Sequence, residues 1–364
     1  MKIGFDAKRA FNNLTGLGNY SRSVINAISK IEPKSQLYLF TTSIKDNIFK
    51  PDNQNTHTIK PNRFINKNYW RLKGINKELR NLNINIFHGL SNEIPFGINI
   101  KSIVTIHDLL FLKYPKYYNF FDRKIYTWKS KSACKNSSKI IATSQQTKQD
   151  IINYFNIDEK KIKVIYQSCH NDFIECEQNE GLTNELKDEL HDPYILYVGT
   201  VEERKNLLFL LEALQHMKEV KLICIGKKTK YYKKVHEFIY KKNLHNRVSF
   251  INVKDSRKLS LIYQKSRGLV FPSIDEGFGI PIIEAMYSKV PVITSDQSIF
   301  KEIAGENSYF FEKNKVDSLI EEIKKIWLDS EDRDNRIKLN LNHVQKFNEQ
   351  NQATEIIEIY RNLM

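Results

Sequence analysis

Cysteine is scarce in this 364-residue chain: Cys134, Cys169, Cys176 and Cys224 form no Cys-x-x-Cys pair and no metal-ligand rhythm. That excludes a disulfide scaffold or a zinc finger, and the four read as free thiols in a reducing cytoplasm, packed as small hydrophobes. No apolar run approaches the ~20 residues that span a bilayer. Met1-Lys2-Ile3-Gly4-Phe5-Asp6 enters a strand pattern at once, so no signal peptide is expected. No internal repeat of the roughly 20–50 residues typical of solenoids is present. What remains is a composition 41% hydrophobic, ordinary for a soluble globular protein, and a length that suits two α/β domains better than one core.

Negative charge is short in one half only. Residues 1–182 carry 28 Lys and Arg against 15 Asp and Glu, whereas the remainder carry 29 against 27. The first half therefore holds nearly all of the net +15 and suits an anionic partner: membrane lipid, a phosphorylated acceptor or nucleic acid. The competing reading is a lysine-rich composition spread over solvated faces. No RRM, zinc finger or comparable recognition motif supports nucleic acid.

Short β-branched and aromatic runs alternate with amphipathic stretches of helical length. The first half offers strands at Lys2–Phe5, Leu37–Phe40, Asn85–His88, Ile103–Ile106, Lys139–Ala142 and Lys163–Tyr166, with helical segments at Tyr20–Lys30, Tyr69–Leu82, Phe120–Lys135 and Gln145–Phe155. The second offers Tyr194–Val198, Lys221–Ile225, Val248–Ile251, Gly268–Phe271 and Val290–Thr294, with helices at Leu207–Met217, Tyr231–Lys242, Lys258–Lys265 and Pro281–Tyr287. Such alternation predicts an α/β fold of two Rossmann-like, doubly wound parallel-sheet domains. The polar, acidic stretch 170–192, ending in Asp192-Pro193, marks the boundary, giving one domain at 1–175 and a second at 190–349.

The segment richest in chemistry is Phe271-Pro272-Ser273-Ile274-Asp275-Glu276-Gly277-Phe278-Gly279-Ile280-Pro281-Ile282-Ile283-Glu284. A buried strand ends, Gly277 and Gly279 let backbone approach a ligand, and Pro281 opens a helix whose free N–H groups suit a diphosphate. Glu284, placed in the first helical turn, has the chemistry to accept two hydrogen bonds from a ribose diol; the bland alternative is stabilisation of the helix dipole. A second string, Val198-Gly199-Thr200-Val201-Glu202-Glu203-Arg204-Lys205-Asn206, sets two cations beyond a strand's carboxyl end, again suited to a diphosphate. Its bland alternative pairs them with Glu202 and Glu203. Gly16 and Gly18 form a Gly-x-Gly after the first strand, and His107 ends Ile103-Val104-Thr105-Ile106-His107. Each alone is a weak signal. Cations interleave with aromatics at Arg63–Arg71, which includes Trp70, and again from Lys113 through Tyr117 to Trp128 and Lys131; such stretches suit a lipid headgroup layer.

In this order and spacing the strings resemble the retaining glycosyltransferases of family 4, also called group 1, over essentially the whole chain, and among them bacterial mannosyltransferase-like enzymes of O-antigen and capsule synthesis. The resemblance implies the GT-B fold, with the active site in a cleft between the domains and the last helix, within 350–364, returning to the first domain. Glu276 and Glu284 match the family's paired glutamates, which implies that Glu284 holds the ribose and Glu276 faces the donor sugar and phosphates. Lys205 matches the diphosphate lysine, with Arg204 beside it, and His107 the histidine near the transferred sugar. Gly16 and Gly18 match the loop over the donor phosphates, and Val253, Phe278 and Ile280 complete the donor set. Catalysis is expected from Glu276, His107, Arg204 and Lys205 by front-face displacement, without cofactor or metal. The implied partners are a nucleotide-diphosphate sugar (GDP-mannose, or a UDP-sugar) and a saccharide or polyprenyl-diphosphate-linked acceptor. The enzyme is expected in the cytoplasm or on the inner face of the membrane, with Arg63, Trp70, Tyr117 and Trp128 on the acceptor or membrane side. Two departures stand out: Thr200 where many members have Arg, and Lys289 where a glycine usually closes the helix, so that Lys289 adopts a left-handed conformation or the turn differs. A sugar-nucleotide epimerase and a non-catalytic partner of a glycosyltransferase complex are the alternatives.

Overall fold

The computed structural model describes residues 1–45, 48–51, 54–174, 190, 192–253, 255–328 and 330–364. The chain forms two compact units, one of Met1–Ser168 with Phe347–Met364, the other of Cys169–Lys346. Most of the acidic stretch expected to mark the boundary, and Cys176 with it, lies outside the described residues. Cys134, Cys169 and Cys224 are buried.

The first unit holds a seven-stranded sheet: β1 (Lys2–Asp6), β2 (Gln36–Phe40), β3 (Thr56–Ile59), β4 (Ile86–Gly89), β5 (Lys101–Ile106), β6 (Lys139–Ala142) and β7 (Ile162–Val164). Its order is β3-β2-β1-β4-β5-β6-β7, and every pair is parallel. The second unit holds six parallel strands, β8 (Tyr194–Val198), β9 (Lys221–Ile225), β10 (Val248–Ile251), β11 (Gly268–Phe271), β12 (Val292–Ser295) and β13 (Tyr309–Phe311), in the order β10-β9-β8-β11-β12-β13. These are two Rossmann-like units of the GT-B class. Apolar residues fill both faces, as a parallel sheet covered by helices requires.

The C-terminal helix Glu349–Leu363 belongs to the first unit, where Ala353, Ile356, Ile357, Ile359 and Tyr360 join the core formed by β1, β2 and the helix Gly16–Ile31. A short helix, Lys8–Asn12, intervenes after β1, and the next helix begins at Gly16 rather than Tyr20. Gly16 and Gly18 therefore sit in a helical first turn, not in an open loop. A side chain at Gly18 would collide with the Asn13 carbonyl oxygen, 1.8 Å from where its Cβ would stand.

The stretch expected as one helix over Tyr69–Leu82 is broken into Lys67–Tyr69, a π-helical turn Trp70–Gly74 and Ile75–Asn81. Trp70 is 1% exposed and packs in the core beside Phe40, which overturns its placement on an acceptor or membrane surface. The ring also lies so close to Gly74 that a Cβ there would stand 2.9 Å from Trp70 Cδ1.

Candidate functional site

The strand order of the second sheet reverses between β8 and β11, which pair side by side; ligands of open α/β sheets bind beyond the carboxyl ends of strands at such a point. Both site loops leave from there. After β8 the chain makes a single 3₁₀ turn, Glu203–Lys205, and reverses at Asn206, whose φ of 56° its short amide side chain tolerates. After β11 comes the Pro272–Gly279 loop. A backbone hydrogen bond from Ile274 N to Arg204 O, 2.9 Å, locks the two loops together.

The side chains converge in the same way. Arg204 donates from Nη1 to the Asp275 carbonyl at 2.7 Å and from Nη2 to Glu202 Oε1 at 2.8 Å. The same Nη1 lies 3.0 Å from Glu276 Oε1, to which Lys205 Nζ donates at 2.5 Å. Lys205 also stands 5.2 Å from the centre of the Phe271 ring. The Glu276 side chain is only 12% exposed. Burial works to raise its pKa, but the Lys205 and Arg204 charges and the hydrogen bond from Lys205 outweigh it and hold the carboxyl at about 2. Part of the bland pairing also holds, since Glu202 takes one arm of Arg204.

Gly279, at φ 114°, precedes the helix Ile280–Tyr287, with Pro281 in its first turn. Glu284 is the fifth residue of this helix and no acid lies in the first turn, which corrects the expected placement and weakens the dipole explanation, a field that fades beyond one turn. Tyr263, from the helix Ser256–Lys265, donates its phenol to Glu284 Oε2 at 2.9 Å. Burial raises the Glu284 carboxyl to about 7 against the lowering effect of that hydrogen bond. Tyr263 is fully buried, edge-on to Phe173. The sequence reading missed it because a tyrosine on the apolar face of a helix has no mark beyond that of a core residue. Phe278 is buried at 3% exposure and Ile280 is half-buried. Val253 is half-buried beyond β10, which β9 separates from β8.

Residues 180–343 match the family model for glycosyl transferases group 1, and residues 27–169 match that for glycosyltransferase family 4. The chain belongs to this glycosyltransferase family. O-antigen chain mannosyltransferase B of Escherichia coli is 27% identical over 99% of this chain and 100% of its own length. O-antigen chain mannosyltransferase RfbU of Salmonella typhimurium is 30% identical over 61% of this chain and 60% of its own. The crystal structure of Anabaena HepE in complex with UDP and glucose shares the fold at a TM-score of 0.77, with 16% identity over 99% of both chains.

In the first unit of this glycosyltransferase, His107 follows β5 and is 5% exposed. Its backbone N–H donates to Asn92 Oδ1 and its Nε2–H to the Leu90 carbonyl, both at 2.9 Å, so the neutral ring keeps Nδ1 as its acceptor nitrogen. Burial lowers its pKa to about 4, with the Leu90 contact opposing and Arg9 adding a little. Tyr20 meets the ring edge-on at 4.6 Å. Asn92, at φ 58°, is a second residue that the sequence reading missed; a side-chain clamp on a strand end has no spacing signal.

Among the residues assigned to the acceptor or membrane, Arg63 and Trp128 are exposed and Tyr117 is half-buried under Lys116, whose Nζ lies 4.9 Å from the ring centre. The Asp-x-Asp string Asp332-Arg333-Asp334 sits in the first turn of the helix Glu331–Val344 with Asp332 paired to Arg336 and Asp334 to Arg333, away from the β8 and β11 loops in sequence.

Proposed function

We propose that this glycosyltransferase transfers a hexose, with retention, from a nucleotide-diphosphate sugar to a saccharide or polyprenyl-diphosphate-linked acceptor of a surface polysaccharide, with mannose from GDP-mannose as the favoured donor. The observation that carries the reading is the convergence of Arg204, Lys205 and Glu276 where the β8 and β11 loops meet, with Glu284 on the helix that follows. The mannosyl preference rests on the names of the two O-antigen relatives. HepE, crystallised with UDP and glucose, favours a UDP-sugar as the second reading.

On this reading the diphosphate enters against Arg204, Lys205 and the N-terminus of the helix Ile280–Tyr287. Glu276 already holds the cations, so the incoming phosphates must take them from its carboxylate. The exchange is favourable because a diphosphate brings more than one negative charge and several acceptor oxygens. Glu276, released, then faces the donor sugar. As the glycosidic bond breaks, the charge growing on the leaving diphosphate is met by groups fixed in advance. Glu284 accepts the ribose hydroxyls, oriented by Tyr263. His107, neutral, accepts from a hydroxyl of the transferred sugar through Nδ1. The acceptor oxygen attacks on the face the diphosphate leaves, a leaving oxygen taking the proton.

A thermal-shift panel of GDP-, UDP-, ADP- and dTDP-sugars tests the donor: a ligand at 100 times its Kd adds about 2.7 kcal/mol. GDP-mannose should give the largest shift, and the anomeric configuration of the product, read by NMR, should match that of the donor. An inverted product removes the retaining mechanism. No shift with any nucleotide sugar removes the donor site.

A further inference from the structure

His107 is held harder than the end of a strand requires. Besides the bonds from its backbone N–H to Asn92 and from its ring to Leu90, its carbonyl accepts from Thr143 Oγ1 at 2.9 Å and from Thr147 Oγ1 at 3.3 Å. These bonds fix the backbone and one ring nitrogen. The ring plane is still free to rock about the Leu90 bond. The neighbour that stops it is Tyr20, whose ring stands at 90° to the imidazole with centres 4.6 Å apart.

Tyr20 belongs to another element, the helix Gly16–Ile31, and its own place is set at a distance. Its hydroxyl bonds Thr105 Oγ1 at 2.9 Å, Thr105 bonds His88 Nε2 at 2.9 Å, and His88 Nδ1 bonds the Tyr360 hydroxyl at 2.7 Å. Thr105 lies on β5 just before His107, His88 on β4, and Tyr360 on the C-terminal helix Glu349–Leu363. Thr105, His88 and Tyr360 are fully buried, and Tyr20 nearly so. Burial pushes the His88 pKa down to about 3, with His107 adding to the effect, so the ring is neutral. A neutral imidazole has one donor nitrogen and one acceptor nitrogen. Whichever hydroxyl donates to His88, the other must accept from it. The Tyr360 bond therefore decides whether Thr105 accepts from His88 and donates to Tyr20, or donates to His88 and accepts from Tyr20. A site that only needed filling would take apolar side chains and leave no polar group to satisfy.

We propose that Tyr20 is a positioning residue for His107, itself held from the C-terminal helix through Tyr360, His88 and Thr105. The proposal rests on the reading that His107 meets the transferred sugar, and it supplies the means by which the ring is aimed. Tyr20 blocks the rocking of the imidazole plane, so Nδ1 keeps one direction. A ring free to rock spreads that acceptor over several directions, and a misplacement of about 1 Å near a reacting centre lowers turnover by as much as about 100-fold.

The ring N–H of His107, bonded to the Leu90 carbonyl, gives a readout that needs no ligand. It is followed in the proton–nitrogen correlation spectrum of the full chain and assigned by its loss in His107→Gln. Thr105→Val, which keeps the shape of the side chain without the hydroxyl, should shift or broaden that signal, and Thr105→Ser should restore it. Tyr360→Phe, which removes the far end of the chain of bonds, should move it as well, and serves alone if Thr105→Val does not fold. Ile357→Val thins the core packing of the same helix but leaves every one of these bonds intact, so the signal should stay in place. Turnover is read as GDP released from GDP-mannose with water as the acceptor. Thr105→Val and Tyr360→Phe should lower kcat about tenfold and leave KM within about twofold, since Arg204, Lys205 and Glu284 are untouched; Ile357→Val should change neither. A His107 signal that stays put in Thr105→Val and Tyr360→Phe overturns the proposal, as does one that moves equally in Ile357→Val. If His107→Gln instead releases GDP at the wild-type rate, the sugar contact of His107 is what fails, and the spectrum still decides whether Tyr20 aims the ring.

Discussion

Glu276 and Glu284 belong to one loop and helix, yet their environments push them in opposite directions, and this separates their tests. Glu276, held at about 2 by its cations, contributes stability above the unfolded carboxylate range, lost as the pH falls through its own pKa. Glu276→Gln frees Lys205 and Arg204. Inorganic pyrophosphate and nucleoside diphosphate should then bind about tenfold tighter by calorimetry, one charge competitor being gone, while turnover falls. Unchanged pyrophosphate affinity would mean that the cations do not serve the phosphates. Glu284, raised to about 7 by burial, acts with the other sign: its ionised form is disfavoured in the fold, so it withdraws stability as the pH rises from the unfolded carboxylate range through 7. Glu284→Gln should stabilise the protein at pH 8 by about 1–3 kcal/mol in urea titrations and abolish a rise in donor affinity between pH 6 and 8. Tyr263→Phe should shift that rise upward, since its hydrogen bond lowers the Glu284 pKa. Arg204, Lys205 and Glu276 were legible because they stand on loops beyond strand ends, where a charged residue has no core-packing role to hide it. Tyr263 and Asn92 were not, because the partner that gives each its role is distant in sequence.

Element boundaries follow rules that sequence reading captures only where turn chemistry is ordinary. Lys289 closes the helix Ile280–Tyr287 at φ 60°, with Val290 N bonded to Ala285 O and Lys289 N to Met286 O, both at 3.1 Å. This is the hydrogen-bond pair of a Schellman closure, built on a residue whose Cβ disfavours the left-handed region. Of the two outcomes open from the sequence, the left-handed one holds. Lys289→Gly should therefore raise stability by about 1 kcal/mol, read as a higher urea midpoint at unchanged slope. A lower midpoint would show that the lysine makes compensating contacts. Eleven parallel strands were readable from β-branched and aromatic runs, whereas β3 and β13 were not. Thr56–Ile59 is a half-polar edge strand, and Tyr309–Phe311 is an edge strand of three residues, too short for any periodicity. Trp70 was placed at the surface because cations interleave with aromatics over Arg63–Arg71, a pattern that does not show which ring faces the core; it stands at the start of the π-helical turn Trp70–Gly74 and packs inward beside Phe40.

At the scale of the molecule, the return of the last helix to the first unit has a measurable consequence. The last helix, Glu349–Leu363, lies nearly the whole chain away from β1 in sequence but shares its core, and Tyr360 bonds His88 Nδ1 at 2.7 Å inside a buried network. The network runs on from His88 Nε2 to Thr105 and from Thr105 to Tyr20, each at 2.9 Å, and Tyr20 lies against His107. No periodicity in the sequence shows this return, since an amphipathic helix has the same pattern whichever sheet it covers. Removing residues 347–364 would expose core side chains of Ile356, Ile357, Ile359 and Tyr360 together with the faces they cover. Each such side chain is worth roughly 1.5–3 kcal/mol when buried, so the loss reaches the ~5–15 kcal/mol that holds a domain folded. The truncated chain should lose its first unit. Limited proteolysis should then degrade residues 1–168 while a fragment within 169–346 survives. Tyr360→Phe removes only the hydrogen bond and should cost about 1 kcal/mol. If the truncated chain keeps a protease-resistant first unit, the core contacts of this helix are dispensable, and its place in the domain is one of proximity alone.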